Sequence, residues 1–196
     1  KKINIIAVSK TFGITDIKPL IDYGHLHYGE NKVQEAVQKW TDIKKNNENI
    51  QLHFIGKLQT NKVKFVLPLF DYIHSLDNLK LAEKISSEQI KKKFKPKIFV
   101  QVNINNEIQK NGIDVKGIES FIKSCKENYD LNIIGLMCIP SNDEKIELYF
   151  KEMHKLNNKF GFHNLSMGMS NDYELAAQNG SNYLRIGSKI FGKRTN

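Results

Sequence analysis

The chain has 196 residues, a formal net charge of +9 at pH 7 and 40% hydrophobic residues. That length supports one sizeable core or at most two small domains, and the composition is that of an ordinary globular protein. No apolar run approaches the roughly 18 residues of a membrane helix, no signal-peptide pattern is visible, and Cys125 and Cys138 are spaced unlike a zinc site or a redox pair, so a reducing, cytoplasmic protein without a disulfide framework is expected.

The positive charge has two readings. Nucleic-acid binding is one. The other is a composition bias, because Lys, Asn and Ile are abundant along the whole chain. Dense basic sequence is confined to KKKFKPK, Lys91 to Lys97, between a helix and a strand. No nucleic-acid-binding module accompanies it. The bias reading is preferred, and neither a nucleic-acid nor a membrane partner is expected.

In chain order, a β-branched run predicts a buried strand over Ile3–Ser9, and Lys10 stands at its end. A helix follows over Asp16–Asp22, with Thr15 as its cap and Gly24 as its left-handed stop. Next come a strand over Leu26–Glu30, a helix over Lys32–Ile43, a strand over Leu52–Gly56, a helix over Asn61–Leu69 and a strand over Tyr72–Ser75. Asp77 is read as the cap of a helix over Asn78–Lys92. The alternation continues through a strand over Lys97–Ile104, a helix over Val115–Asn128, a strand over Asn132–Ile139, a helix over Glu144–Lys159 and a strand over Asn164–Gly168. Ser170 is expected to cap a last helix over Asp172–Gln178, Gly180 to stop it, and a strand over Tyr183–Ile186 to close the pattern.

Alternating strands and helices imply parallel strands with helical crossovers. Eight such units point to an α/β fold, a closed (β/α)8 TIM-type barrel forming one domain over residues 1–196. An open doubly wound sheet is the alternative, but usually has fewer strands. One outer helix is unaccounted for. It is expected either before Lys1, as a missing N-terminal helix, or partly replaced by a stub after Arg194.

Polar residues and glycines gather where the strands end: Tyr28-Gly29-Glu30-Asn31, His53 to Gly56, His74-Ser75, LSMGMS (Leu165 to Ser170) and LRIGSKIFGKR (Leu184 to Arg194). In such barrels chemistry sits at the C-terminal ends of the strands, and the loops after the last two commonly hold phosphate. Ser170, Gly187 and Ser188 fall there, with backbone N–H groups and a helix start that favour an anion. The plainer reading is that Ser170 only caps a helix and Gly187 only turns the chain. A lysine at a strand end can form a Schiff base with an aldehyde, and burial assists by lowering its pKa. An aldehyde-capturing Lys10 facing an anion site suits pyridoxal 5′-phosphate. Arg185 would then keep the pyridine nitrogen unprotonated and the ring a weak electron sink. Its alternative is a buried ion pair with Glu30 or Asp172.

At these residues the chain resembles the pyridoxal phosphate homeostasis proteins, which share the barrel of the alanine racemase N-terminal domain. The matching stretches are AVSKT, HYGENKVQEA, LHFIGKLQTNKVKFV, IHSLDNLKLA, VQVNINNEIQKNGI, GLMCIP and LSMGMSNDYELAAQNGSNYLRIGSKIFGKR, running from Ile6 to Arg194. The resemblance implies a cytosolic, monomeric protein that binds pyridoxal phosphate and acts in its homeostasis, with no established enzymatic activity. It puts the Schiff base on Lys10 and Asn31 near the cofactor ring. It sets Arg185 against the pyridine nitrogen, and Ser166, Ser170, Gly187 and Ser188 around the phosphate. His53 and Met167 are expected to line the pocket, although His53 reads equally well as a satisfied core histidine. The chain departs from the family in lacking the helix before the first strand and in reading KTFG, from Lys10 to Gly13, where many relatives have a lysine and proline after KT.

Three functions follow. The first is a cofactor carrier that holds pyridoxal phosphate on Lys10 and hands it to apo-enzymes that use it. The second is an amino-acid racemase. Racemisation needs bases on both faces of the substrate α-carbon. In the racemases the second base is a tyrosine from a further domain of a partner subunit, which this sequence is not expected to carry. The third is nucleic-acid binding. The carrier is the expected function, with no catalytic residues and no metal. Lys57, Lys62 and Lys189 are the rival lysines.

Overall fold

The computed structural model describes residues 2–107 and 110–192. In order they form β1 (Asn4–Val8), α1 (Ile14–Asp22), β2 (His27–Glu30), α2 (Val33–Asn46) and β3 (Gln51–Phe54). A 3-10 turn (Thr60–Lys62) runs into α3 (Val63–Val66), followed by β4 (Tyr72–Leu76), α4 (Leu79–Lys92), β5 (Lys97–Asn103) and a two-residue β6 (Ile113–Asp114). Then come α5 (Ile118–Tyr129), β7 (Ile133–Met137), α6 (Ile146–Lys159), β8 (Asn164–Met169), α7 (Tyr173–Gln178), β9 (Tyr183–Ile186) and α8 (Ser188–Phe191).

Neighbouring strands run in the order β4-β3-β2-β1-β9-β8-β7-β5, and β4 also pairs with β5. That last pairing closes an eight-stranded parallel barrel, a (β/α)8 fold. β6 hangs on β5 outside the ring. The eighth barrel strand is followed directly by the one-turn helix α8, so the eighth helix of the ring lies at Ser188–Phe191. A stub after Arg194 would lie outside the described residues. No helix of the described residues is long and apolar enough to cross a membrane.

The period-2 alternation of each strand sorts its side chains between two cores. One face packs Ala7, Tyr28, Leu52, Phe54, Ile73, Val100, Leu136, Leu165, Leu184 and Ile186 against the helices. α2 answers with Ala36 and Trp40, α4 with Leu81, Ala82 and Ile85, and α6 with Phe150 and Met153. The other face fills the barrel with Ile6, Tyr72, Phe99, Met137 and Tyr183. Cys125 and Cys138 are both buried and free.

The expected caps need correcting. α1 starts after Gly13, so Thr15 lies inside its first turn; Asp16 accepts the Gly13 N–H at 3.0 Å. α4 is capped by Asn78, whose Oδ1 accepts the Leu81 N–H at 2.8 Å, rather than by Asp77. α7 starts after Asp172, not after Ser170. Only at α4 does a side-chain oxygen stand where it meets a free N–H of the first turn; α1 and α7 start after Gly13 and Asp172, neither of which makes such a bond. The expected stops hold: Gly24 and Gly180 adopt φ of +91° and +90°.

Strand contact is tightest at Gly135. A Cβ there would lie 1.9 Å from the Asn164 carbonyl oxygen on β8. We expect Gly135→Ala to force β7 and β8 apart and to cost more than about 3 kcal/mol, read as a fall in the urea midpoint at unchanged slope. An unchanged midpoint would refute this packing.

Candidate functional site

At the C-terminal ends of the strands a cavity of about 510 Å³ opens to solvent. Its wall includes Val8 and Lys10 beyond β1, Asn31 beyond β2, and Gly56 and Lys57 beyond β3. Gln101 comes from β5, Ser170 and Asp172 follow β8, and Arg185, Gly187 and Ser188 complete the ring. A volume of that size suits one small ligand. Six of the nine site residues expected from the sequence therefore meet here: Lys10, Asn31, Ser170, Arg185, Gly187 and Ser188.

The other three lie elsewhere. Met167 points to the opposite face of β8, where it is fully buried in the helix-side core. It sits one residue from Ser166, and one residue reverses the face. Ser166 faces the barrel interior beneath the cavity, where its Oγ accepts a hydrogen bond from Arg185 Nη1 at 2.6 Å. His53 is also fully buried in the interior, so the core-histidine reading is the one realised.

Lys10 is held by its neighbours in the chain. Thr11 has φ of +70°, a left-handed conformation that a β-branched residue seldom adopts. Its N–H donates to Glu35 Oε1 at 2.8 Å. Lys39 Nζ then binds Glu35 Oε1 at 3.1 Å, Glu30 Oε1 at 3.0 Å and the Ser9 carbonyl at 2.9 Å. Glu30 is fully buried, and the same Oε1 also accepts from Ser9 Oγ at 2.7 Å and Trp40 Nε1 at 2.9 Å. A buried carboxylate persists only when so compensated. The residues on either side of Lys10 are thus tied to α2. Burial pushes the Glu35 carboxyl up, but the Thr11 N–H and Lys39 outweigh it, and the net shift is downward. Sequence reading missed this network, although its Glu35–Lys39 spacing of four was visible.

Ser170 joins the last two loops instead of capping a helix. Its Oγ accepts the Gly187 N–H at 3.2 Å. At Gly187 a Cβ would lie 3.4 Å from Val8, in ordinary contact with β1. Gly56 is more confined: a Cβ would meet the Asn31 carbonyl oxygen at 2.3 Å. Asn31 Oδ1 is buried without a hydrogen-bond partner among the described residues. Such an orphan acceptor at a cavity wall invites a donor from a ligand.

Arg185 is nearly buried, at 4% exposure. Its Nη2 donates to the Cys138 carbonyl at 2.8 Å. Neither Glu30 nor Asp172 forms an ion pair with it, so that alternative is not realised; Asp172 Oδ1 accepts the Met169 N–H instead. Beneath Arg185 runs a line of histidines. His74 Nδ1 lies 3.0 Å from Ser166 Oγ, His74 Nε2 lies 2.9 Å from His53 Nδ1, and His53 Nε2 lies 2.9 Å from His27 Nδ1. Burial holds His53 and His74 well below the usual histidine range, with charged neighbours adding to it.

The profile of the family described as alanine racemase, N-terminal domain, matches residues 1–195. The chain belongs to this family. Among its relatives, the pyridoxal phosphate homeostasis protein of Aquifex aeolicus is 33% identical over 199 residues, covering 97% of this chain and 86% of the relative. The protein of the same description from Buchnera aphidicola is 38% identical over 201 residues, covering 97% and 86%. The solved structure of PipY from Synechococcus elongatus with PLP bound superposes with a TM-score of 0.89 at 30% identity, covering 97% of this chain and 92% of that one. The family resemblance read from the motifs is therefore correct.

A pH effect follows from the histidine line. His27 is lowered to about 4 by burial first and then by His25, Lys2 and Lys97, with Asp71 opposing. A lowered histidine favours the neutral folded state, so the unfolded chain binds the extra proton between the two values. Stability is expected to be intact above about 6.5, to fall as the pH drops from there to about 4, and to fall no further on this account below that. In acid titrations followed by circular dichroism, His27→Gln should show a shallower loss over this window. An identical slope in both proteins would count against it.

Proposed function

We propose that this protein binds pyridoxal 5′-phosphate and acts in its homeostasis, as a carrier rather than a catalyst. The observation that carries this reading is the convergence of Lys10, Arg185 and the Ser170–Gly187–Ser188 turn on one cavity. The names of the relatives and the PLP-bound PipY structure support it. Residues 1–196 are read as one such domain. The protein is read as a cytoplasmic monomer that passes the cofactor to apo-enzymes.

When bound, the cofactor supplies an aldehyde. Lys10 would be the residue that holds it, offering its amine to that carbonyl. Ser170, Ser188 and the backbone about Gly187 would hold its phosphate. Arg185, always charged, would face the pyridine nitrogen and favour its unprotonated form. Asn31 offers its unpartnered Oδ1 at the wall. Ser166 acts from one layer below, through Arg185.

The racemase reading requires two proton-transfer groups on opposite sides of a substrate α-carbon. Among the described residues lining the cavity, the groups able to exchange a proton in this way are Lys10, Lys57 and Asp172. Asp172 is engaged by the Met169 N–H at 2.5 Å. Tethering needs Lys10 alone of this set.

Purified protein mixed with pyridoxal phosphate should show an absorption band near the visible edge that is absent in Lys10→Ala. Borohydride reduction followed by peptide mass spectrometry should place the adduct on Lys10. An adduct retained by the alanine variant at Lys57, Lys62 or Lys189 would move the site. Incubated with alanine in deuterated water, the loaded protein should exchange the α-hydrogen no faster than free cofactor; faster exchange would overturn the carrier reading.

A further inference from the structure

The barrel interior holds three histidines that the reading above leaves without a task. His27, His53, His74, Ser166 and Arg185 form one hydrogen-bonded line, each link 2.6 to 3.0 Å long. His53 and His74 are fully buried. His27, at the N-terminal start of β2, is partly exposed. Arg185 lies at the cavity floor. The line thus crosses the barrel from one end to the other. His53 is stacked on Tyr72 with ring centroids 4.1 Å apart, and His74 on Phe99 at 4.4 Å, so neither ring is loose.

The direction of every bond follows from one group. A guanidinium only donates. Ser166 Oγ therefore accepts from Arg185, and its own hydrogen remains to be given. The other polar partner of Ser166 is His74 Nδ1 at 3.0 Å. Were that nitrogen also a donor, the buried hydroxyl hydrogen would be left unsatisfied, at a cost of roughly 1–3 kcal/mol. His74 thus accepts at Nδ1 and, being neutral, carries its proton on Nε2. That proton faces His53 Nδ1, so His53 carries its own on Nε2, facing His27 Nδ1. One arginine sets three tautomers in series.

We propose that His53 and His74 are positioning residues for Arg185: through Ser166 they complete a single-direction hydrogen-bond line that holds the guanidinium at the cavity floor. The argument rests on the cofactor reading for its functional consequence, and on the interior geometry alone for the line itself. An apolar layer of the same shape would fill the barrel equally well, but would give the Ser166 hydroxyl no acceptor. Ser166 would then turn to find one, and the guanidinium would lose a bond at the point where it meets a ligand.

Two measurements test this. Nitrogen-15 NMR of the unaltered chain without cofactor, at neutral pH, should show His27, His53 and His74 neutral with the proton on Nε2. An Nδ1–H tautomer or a charged ring at His53 or His74 overturns the line. Separately, His74→Leu should weaken pyridoxal phosphate retention roughly tenfold, in keeping with loss of one well-placed bond, and displace the band of the bound form. His74→Asn, whose Oδ1 stands near the place of Nδ1, should restore both. Parent-like affinity and band in the leucine variant, or no recovery with asparagine, overturns the positioning role. If the leucine variant fails to fold, Ser166→Ala replaces it with the same expectation of weakened retention and a displaced band, and parent-like values there likewise overturn the role. A parent chain that takes up no pyridoxal phosphate sinks the functional reading, and the tautomer pattern then decides the line by itself.

Discussion

The register between the first and last strands of the barrel is the constraint on which the site depends. Ile6 pairs with Arg185, and Ala7 with Ile186. That pairing puts the Arg185 side chain inside the barrel and brings the end of β1 level with the turn at Gly187. Lys10, just past β1, therefore shares a cavity with Ser188, although nearly the whole chain lies between them. A slip of one residue would turn Arg185 onto the helix side and its neighbours with it. Closure of the sheet through β4 and β5 leaves such a slip no room, because each of the eight barrel strands has a partner on both sides.

Holding an amine at such a place costs stability, and the structure shows where the cost is offset. The left-handed turn at Thr11 is unfavourable for a β-branched residue. It persists because its N–H meets Glu35, which Lys39 ties to the buried carboxylate of Glu30. Within the buried Glu30 carboxylate Oε1 is fully satisfied, while Oε2 has no hydrogen-bond partner among the described residues. The interior follows the same rule. A barrel lined only with Val, Ile and Leu would be simpler to fill. This one carries three histidines, a serine and an arginine, which pair among themselves and with a backbone carbonyl.

Much of this was legible in the sequence, for identifiable reasons. The alternation of β-branched runs with helical stretches predicts a parallel barrel, because parallel strands need crossovers. Strand ends were also legible, so Lys10, Asn31, Gly187 and Ser188 fall at the cavity. Where reading failed, one residue of phase decided. Met167 and Ser166 are neighbours on β8, yet one packs under the helices and the other bonds Arg185. Gln101 was passed over in KIFVQVN, although it stands two residues from Phe99 on the inward face. Ser170 looked like a cap, but the chain turns once more before α7, and its hydroxyl serves Gly187 instead.

By itself the amino-acid sequence determined the order and kind of the elements, the family, and the residues whose chemistry suits an aldehyde with an anionic tail. Those are local properties: periodicity, turn residues and side-chain type act over a few positions of chain. Only the tertiary structure decided which of these residues meet, that His53 belongs to the interior, that Arg185 is anchored by a hydroxyl and a carbonyl, and that Glu35 pins the turn beside Lys10. Such pairings join strands far apart in the chain, and their geometry exists only once the barrel closes and every inward position has a fixed neighbour.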